Sequence, residues 1–543
     1  MSLSLSAWPE NSESRQRMIE SNSSSNFVQH FVSRTPSTAE RLISLLTRCR
    51  TFIIIVFVPL LFAPLLTVHK PEFNCAYVVC VVAAYWMSEV MPLAVTAMLP
   101  VVLFPLCGVL DANTTAKEYM NDTNFLFIGG LIMAAAVEKC DLHERVALSV
   151  LRLVGSDPKW IMLGFMIVTA LLSSFISNTA TTAMMVPIGQ SVINQLVASF
   201  NSHPHGAKSK EGCAKMATGL VLSICIAANI GGTGTATGTP SNLVMLGQLS
   251  TLYPLEDGSL NYVTWIFFAY PLMLICLFIA WVTLVVFFLR NAPDRDEHVT
   301  QMLHDRYEKL PRMSYAEKSV CFGVLFKKGN YTDATSAMII SFLLFLLPSE
   351  KPNLSTYIKA EDLKKRSCLM DWKTMQEVFP WSVVLLLGGG FALAAGVKES
   401  GLSLLIGDCL SSIEHLPIWL LQILTMFIAM LITNICSNTV TASIFVPIVA
   451  TVAQQSGNHP FTLMLPTTLA ASFAFVLPVG TPPNAIVFGS GMVKVSDMAV
   501  VGFLMSIEML IVTVLYMNTL AGVVLDIGTI PAWAAPANAT LTL

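Results

Sequence analysis

The sequence predicts an all-α polytopic membrane protein made of two repeats, each holding a re-entrant hairpin and a broken helix. Three observations predict it. The 543 residues are 54% hydrophobic and 12% charged, with mean hydropathy +0.66, whereas soluble proteins carry about 25% charged residues. Runs free of Asp, Glu, Lys and Arg recur along the chain, and some far exceed the roughly 20 residues that cross a bilayer as one helix. The chain also repeats itself: Ser177-Asn178-Thr179-x-Thr181 and Val186-Pro187-Ile188 are answered by Ser437-Asn438-Thr439-x-Thr441 and Val446-Pro447-Ile448.

Taken in order, residues 1–45 are Ser-rich and polar and read as a disordered cytoplasmic tail, with no signal peptide expected. The first apolar run, Thr51–Val68, follows Arg41, Arg48 and Arg50, the pattern of a start-transfer helix with a cytoplasmic N-terminus. Further uncharged runs fall at 73–88, 90–110, 123–137, 160–202, 216–255, 258–289, 334–349, 378–397, 415–493 and 509–525. The longest of them hold the Gly, Pro, Ser, Thr and Asn clusters, as re-entrant hairpins and interrupted helices require. The membrane domain is placed at 46–530, with a first repeat at about 73–290, a second at about 314–525, and an extracellular tail at 531–543.

The repeat is in register. Gly129-Gly130 matches Gly389-Gly390, Val137 matches Val397, and Asn178 and Pro187 match Asn438 and Pro447, all offset by 260. Further on, Gly238-Thr239-Pro240-Ser241-Asn242 is answered by Gly480-Thr481-Pro482-Pro483-Asn484, offset by 242. Lys and Arg crowd 208–215, 290–328 and 351–373, which marks those loops as cytoplasmic and makes the second half an inverted copy of the first. Yet a single adequate run, Ala334–Pro348, separates two basic loops that belong on one side. Its segment Thr335-Ser336-Ala337-Met338 resembles Val95-Thr96-Ala97-Met98, so the counterpart of 73–88 is what the second repeat lacks. Between Ser319 and Phe326 there are eight uncharged residues, too few to span.

Ser, Asn and Thr favour helix N-caps and Pro the first helical position. The two Ser-Asn-Thr segments should therefore start the second arm of each hairpin, and Thr239-Pro240 and Thr481-Pro482 should restart broken helices. Four helix N-termini turned into one cavity favour an anion. No Lys or Arg occurs in 160–202, 216–255 or 415–493, so the balancing charge falls to small cations held by Ser, Thr, Asn and backbone oxygens. Sodium suits such a set better than a proton, which needs a titratable relay. The reading is two halves of one site in a secondary transporter.

Blander readings compete. A lone Asn or Ser in a membrane helix is often an interhelical hydrogen bond, but the duplication with paired breaks argues against it here. Gly232-x-Gly234-x-x-x-Gly238 lacks Walker and Rossmann spacing and reads as helix unwinding. The twelve cysteines have no metal spacing and read as small buried hydrophobes. His415 and His459 sit at turns, without chemistry. No Ser or Asp is paired with a base as an intramembrane hydrolase requires, so the chain is not an enzyme, and nothing suggests nucleic acid or a bound cofactor.

At these residues, and at Ser88-Glu89-Val90-Met91-Pro92, Leu387-Gly388-Gly389-Gly390-Phe391 and Leu477-Pro478-Val479-Gly480-Thr481-Pro482-Pro483-Asn484, the chain resembles the divalent anion/sodium symporter family over roughly residues 45–530. The resemblance implies sodium-coupled symport of small di- and tricarboxylates (succinate, malate or citrate), with sulfate as the close alternative. It implies about eleven spans, two re-entrant hairpins, an elevator motion, a homodimer in the plasma membrane and an extracellular C-terminus. It implies that Asn178, Thr179, Asn438, Thr439, Thr239 and Thr481 meet the anion. One sodium would lie among Ser173, Ser177, Asn178 and Gly232, a second among Thr433, Cys436, Asn438 and Gly480. Asn538 would be glycosylated, and Asn113 and Asn121 are further sequons on the expected outer side. The departure is the truncated seventh span, which raises a reading of another class, a transport-dead form acting only as a dimer partner.

Overall fold

The computed structural model describes residues 38–140, 142–151, 157–201, 208–256, 260–290, 307–308, 313–319, 333–350, 368–402, 405 and 416–534. His415 and Asn538 lie outside them, as does most of the 319–333 segment. Two compact units are distinguished, Met1–Phe57 and Val58–Leu543. Helix α1 (Thr38–Phe62) starts inside the stretch expected to be tail, because Thr38-Ala39-Glu40 already carries helical backbone. The described residues contain helices and turns but no strand beyond one isolated bridge, Pro348 with Cys368. Six helical segments are long and apolar enough to span a membrane, so the chain is a multi-pass membrane protein.

The first repeat runs α2 (Pro71–Ser88), α3 (Leu93–Ala97), α4 (Leu99–Leu106), α5 (Ala112–Glu118), α6 (Asp122–Lys139), α7 (Leu142–Leu151), α8 (Pro158–Ser173), α9 (Asn178–Asn201), α10 (Lys208–Gly231), α11 (Pro240–Leu252) and α12 (Tyr262–Phe288). The second runs α13 (Asp333–Leu346), α14 (Trp372–Val378), α15 (Trp381–Glu399), α16 (Ile418–Thr433), α17 (Asn438–Gln455), α18 (Phe461–Ala471), α19 (Pro482–Gly489), α20 (Val495–Met517) and α21 (Ala521–Leu525). The 260-residue register begins earlier than the glycines showed. Asp111 caps α5 by accepting the Asn113 and Thr114 N–H groups, and Asp371 caps α14 by accepting the Thr374 N–H.

The two halves interlock by exchange. A side chain at Gly129 of α6 would strike Ala337 of α13, at 2.7 Å from its Cβ, and one at Gly389 of α15 would strike Ala97 of α3, at 2.5 Å from its carbonyl oxygen. Each repeat thus lends its small-residue helix to the other, and the close approach substitutes for the hydrophobic effect that lipid does not supply. Exchange recurs deeper: α11 packs on α17, and α19 packs on α9.

Inversion follows from where α6 and α15 end. α6 finishes with Lys139 Nζ 2.6 Å from Asp371 Oδ2, at the cap from which the α14–α15 segment departs. α15 finishes beside the start of α2, where Gly401 lies against Glu72 and Asn74 donates to the Cys107 carbonyl. Corresponding helices therefore run in opposite directions. On the α7 side, Arg145 Nε meets Glu317 Oε1 at 3.1 Å, whereas α13 runs alongside α6 toward the Lys139 end, where Met370 N–H donates to the Leu344 carbonyl. Asp333 consequently starts at the opposite end of α6 from Glu317. The sequence between them provides too few apolar residues for a membrane crossing.

Candidate functional site

Both expected hairpins are present. α8 ends at Ser173, residues 174–177 turn, and α9 starts at Asn178; α16 ends at Thr433, residues 434–437 turn, and α17 starts at Asn438. Both expected breaks are present as well. α10 ends at Gly231, passes through a 3-10 turn (Gly232–Gly234) and restarts as α11 from the extended Thr239. α18 ends at Ala471 and restarts as α19 from the equally extended Thr481. Proline at the first position of α11 and α19 costs nothing, since that N–H is unbonded in any helix.

The same atoms hold each half. Ser173 Oγ lies 2.6 Å from Asn178 Oδ1 and 2.8 Å from the Ala228 carbonyl. Thr433 Oγ1 lies 2.8 Å from Asn438 Oδ1 and 2.5 Å from the Ala471 carbonyl. A hydroxyl has one proton to donate, so at each tip it can satisfy one of the two acceptors it touches. The remaining pair of oxygens faces each other without a proton, which favours a small hard cation. All six oxygens are neutral. Among the described residues no group of three His, Cys, Asp or Glu could hold a metal.

The breaks are locked by a matched pair of amides. Asn242 Nδ2 donates to the Gly232 and Thr235 carbonyls at 3.2 and 2.8 Å, and Asn484 Nδ2 donates to the Ala474 and Leu477 carbonyls at 2.8 and 3.0 Å. These four acceptors are related by the same 242 offset as the amides. Tips and breaks also touch. Ser174 Oγ donates toward the Gly231 carbonyl at 2.9 Å, the Thr235 hydroxyl donates to the Ser174 carbonyl, and the Val476 N–H donates to Asn434 Oδ1 at 2.9 Å. A Cβ at Gly232 would sit 2.4 Å from Asn178 Oδ1. Only glycine lets the break close on the first tip.

The structure thus brings Ser173, Asn178 and Gly232 together, and Thr433 and Asn438 together. Ser177 stands apart from that oxygen pair: it is exposed, and its Oγ caps α9 by accepting the Ala180 N–H at 3.2 Å. Cys436 is buried in the second turn and Gly480 lies against the Asn434 backbone. Thr239 and Thr481 are buried N-caps with no side-chain cap bond, and Thr439 is buried whereas Thr179 is exposed. Pro240 and the Pro482-Pro483 pair carry no N–H, so the starts of α11 and α19 offer fewer backbone donors than the two Ser-Asn-Thr tips. A separate cavity of about 160 Å³ is lined by Asp122, Thr123, Glu256 and Asn261 among others, and its carboxylates disfavour an anion.

Sequence reasoning missed the Ala228 and Ala471 carbonyls, because a backbone acceptor leaves no residue-type signal. It also missed the locking role of Asn242 and Asn484, although both stood in the duplicated segments.

The chain is similar to known proteins over nearly its whole length. Residues 40–525 match the family model described as the sodium:sulfate symporter transmembrane region. The chain is 75% identical to the sodium-dependent high-affinity dicarboxylate transporter 3 of Caenorhabditis elegans, covering 100% of this chain and 99% of the relative. It is 44% identical to the low-affinity dicarboxylate transporter 1 of that species, over 88% and 92% of the two chains. It is 39% identical to the Na(+)/citrate cotransporter of Rattus norvegicus, over 90% and 97%. The first alignment spans 562 positions against a chain of 543, so the relative fills at least 19 positions that this chain does not, about the length of one membrane helix. On this evidence the chain belongs to the sodium:sulfate symporter family.

Proposed function

We propose that the chain is a sodium-coupled symporter of small di- and tricarboxylates of the succinate, malate and citrate type. The observation that carries the reading is the pair of matched tips. Each sets an unprotonated oxygen pair, fit for sodium, beside a helix N-terminus with open N–H groups, fit for a carboxylate. Asn178 and Asn438 share both roles, taking sodium with Oδ1 while their backbone and that of Thr179 and Thr439 face the anion. Ser173 and Gly232 complete the first sodium site, with Ser177 beside it as the cap of α9; Thr433, Cys436 and Gly480 complete the second. Thr239 and Thr481 close the anion site from the breaks. With no Lys or Arg in these runs, the anion depends on the ions for its charge balance, and that dependence is the coupling. The names of the relatives support carboxylates over sulfate.

The reading includes an elevator motion in which the hairpins and breaks move together against α2–α6 and α13–α15, a homodimer, and residence in the plasma membrane with the N-terminus inside. Asn538, outside the described residues, would be glycosylated on the outer side. The experiment is uptake of labelled succinate, with competition by citrate and sulfate. Uptake that persists when choline replaces sodium contradicts coupling, and displacement by sulfate but not by citrate contradicts the substrate class. The 19 absent positions favour a second reading, a form without transport that pairs with a complete carrier. No uptake alone, together with reduced uptake by a co-expressed complete carrier, would support it.

A further inference from the structure

We propose that Asn229, Thr481 and Asn484 form a further monovalent-cation site, where the first repeat's α10 meets the second repeat's break. The ligand class rests on the sodium-coupled reading; the geometry stands apart from it. Asn229 follows Ala228, the acceptor of Ser173, and reaches across the repeat boundary. Its Nδ2 lies 3.4 Å from both Thr481 Oγ1 and Asn484 Oδ1, long for an N–H···O bond of about 2.9 Å. Its Oδ1 is buried with no partner, and the residue is fully buried. Asn484 cannot turn to help, because its own amide N–H groups are held by two carbonyls at 2.8 and 3.0 Å, so its oxygen must face Asn229.

Turning the Asn229 amide over removes both weak contacts and sets its oxygen where the nitrogen stood, 3.4 Å from Thr481 Oγ1 and from Asn484 Oδ1. Neighbouring ligands at right angles around a hard cation, each about 2.4 Å from it, stand about 3.4 Å apart. The orientation poor as hydrogen bonding is therefore replaced by one that suits an ion. The other half supplies an internal comparison. Asn242 is the counterpart of Asn484, and its Oδ1 is also buried without a partner, but the residue facing it by register is Ala471, which has no oxygen on its side chain. The site is built on one side of the pseudo-twofold only. Its ion would lie between the two tip sites and tie Thr481, expected at the anion, to the first repeat.

The test is thermal unfolding of the purified full chain titrated with sodium against choline at fixed ionic strength, with no anion substrate added. Asn229→Ala is expected to raise the sodium concentration at mid-response at least tenfold and to flatten the response, with unchanged stability in choline. Gln248→Ala removes a buried amide elsewhere and is expected to leave the response as in wild type. Asn229→Asp separates an ion from a plain hydrogen bond. A carboxylate keeps the oxygen ligands and loses the donor, so the response should persist at equal or lower sodium; loss of stability in sodium and choline alike would overturn the site. A wild-type response in Asn229→Ala would overturn it too. Absence of sodium-dependent anion uptake by the wild-type chain would instead overturn the proposed function and leave this titration readable.

Discussion

Ser173 and Thr433 each hold one proton between two acceptors, and that shortage sets what their replacement should do. Ser173→Ala or Thr433→Ala removes one sodium ligand and leaves the anion contacts, so the sodium needed for half-maximal uptake should rise about tenfold, the equivalent of about 1.4 kcal/mol. Thr433→Ser keeps the hydroxyl and should stay within about threefold of wild type; sodium titration of uptake checks all three. His459 makes a prediction of a different kind. Its Nδ1 accepts the Phe461 N–H at 3.1 Å, and its ring packs against Phe461 and Trp533. Burial pushes its pKa down to about 4, although the nearby Asp526 and Glu256 carboxylates pull the other way. An unfolded imidazole titrates near 6.5. Between those two values the unfolded chain binds a proton that the folded chain refuses, so stability falls as pH drops from about 6.5 toward about 4. Unfolding temperatures at pH 7.5 and 5 should show the loss, and His459→Gln should shrink it.

At the scale of elements, the interlock between repeats rests on Gly129 against Ala337 and Gly389 against Ala97. Gly389→Val would drive two methyl groups into the Ala97 backbone, which cannot yield as a side-chain end can; a loss of roughly 3 kcal/mol or failure to reach the membrane is expected. Fluorescence-detected gel filtration reads this directly, and a monodisperse variant of wild-type stability would contradict the packing. Asp371→Ala removes the α14 cap and should cost about 1 kcal/mol. Its partner Lys139 holds the Asp371 carboxyl well below the usual carboxylate range, but so exposed a pair adds little. These elements were largely legible beforehand. Hairpin starts at Asn178 and Asn438 and restarts at Pro240 and Pro482 follow from cap and proline chemistry that occurs twice. What closes each site was not legible, because the Ala228 and Ala471 carbonyls exist at every residue and only the fold selects them.

For the whole molecule, inversion was legible from lysine and arginine placement, and the opposed runs of α6 and α15 give it geometry. The exchange of small-residue helices was visible only as an unexplained likeness between Val95–Met98 and Thr335–Met338. Between Glu317 and Asp333 the sequence is too poor in apolar residues to span a bilayer. Inserting an apolar helix of about 20 residues after Phe326 should raise transport if the crossing limits it; surface labelling and uptake together check this. Anion transport is proposed to depend on sodium held at both tips. The most direct test is labelled succinate uptake into proteoliposomes under an inward sodium gradient, for wild type, Asn178→Ala and Asn438→Ala at matched reconstitution. Sodium-dependent uptake by wild type, abolished in each variant, is the predicted result; equal uptake in choline, or normal kinetics in either variant, would contradict it.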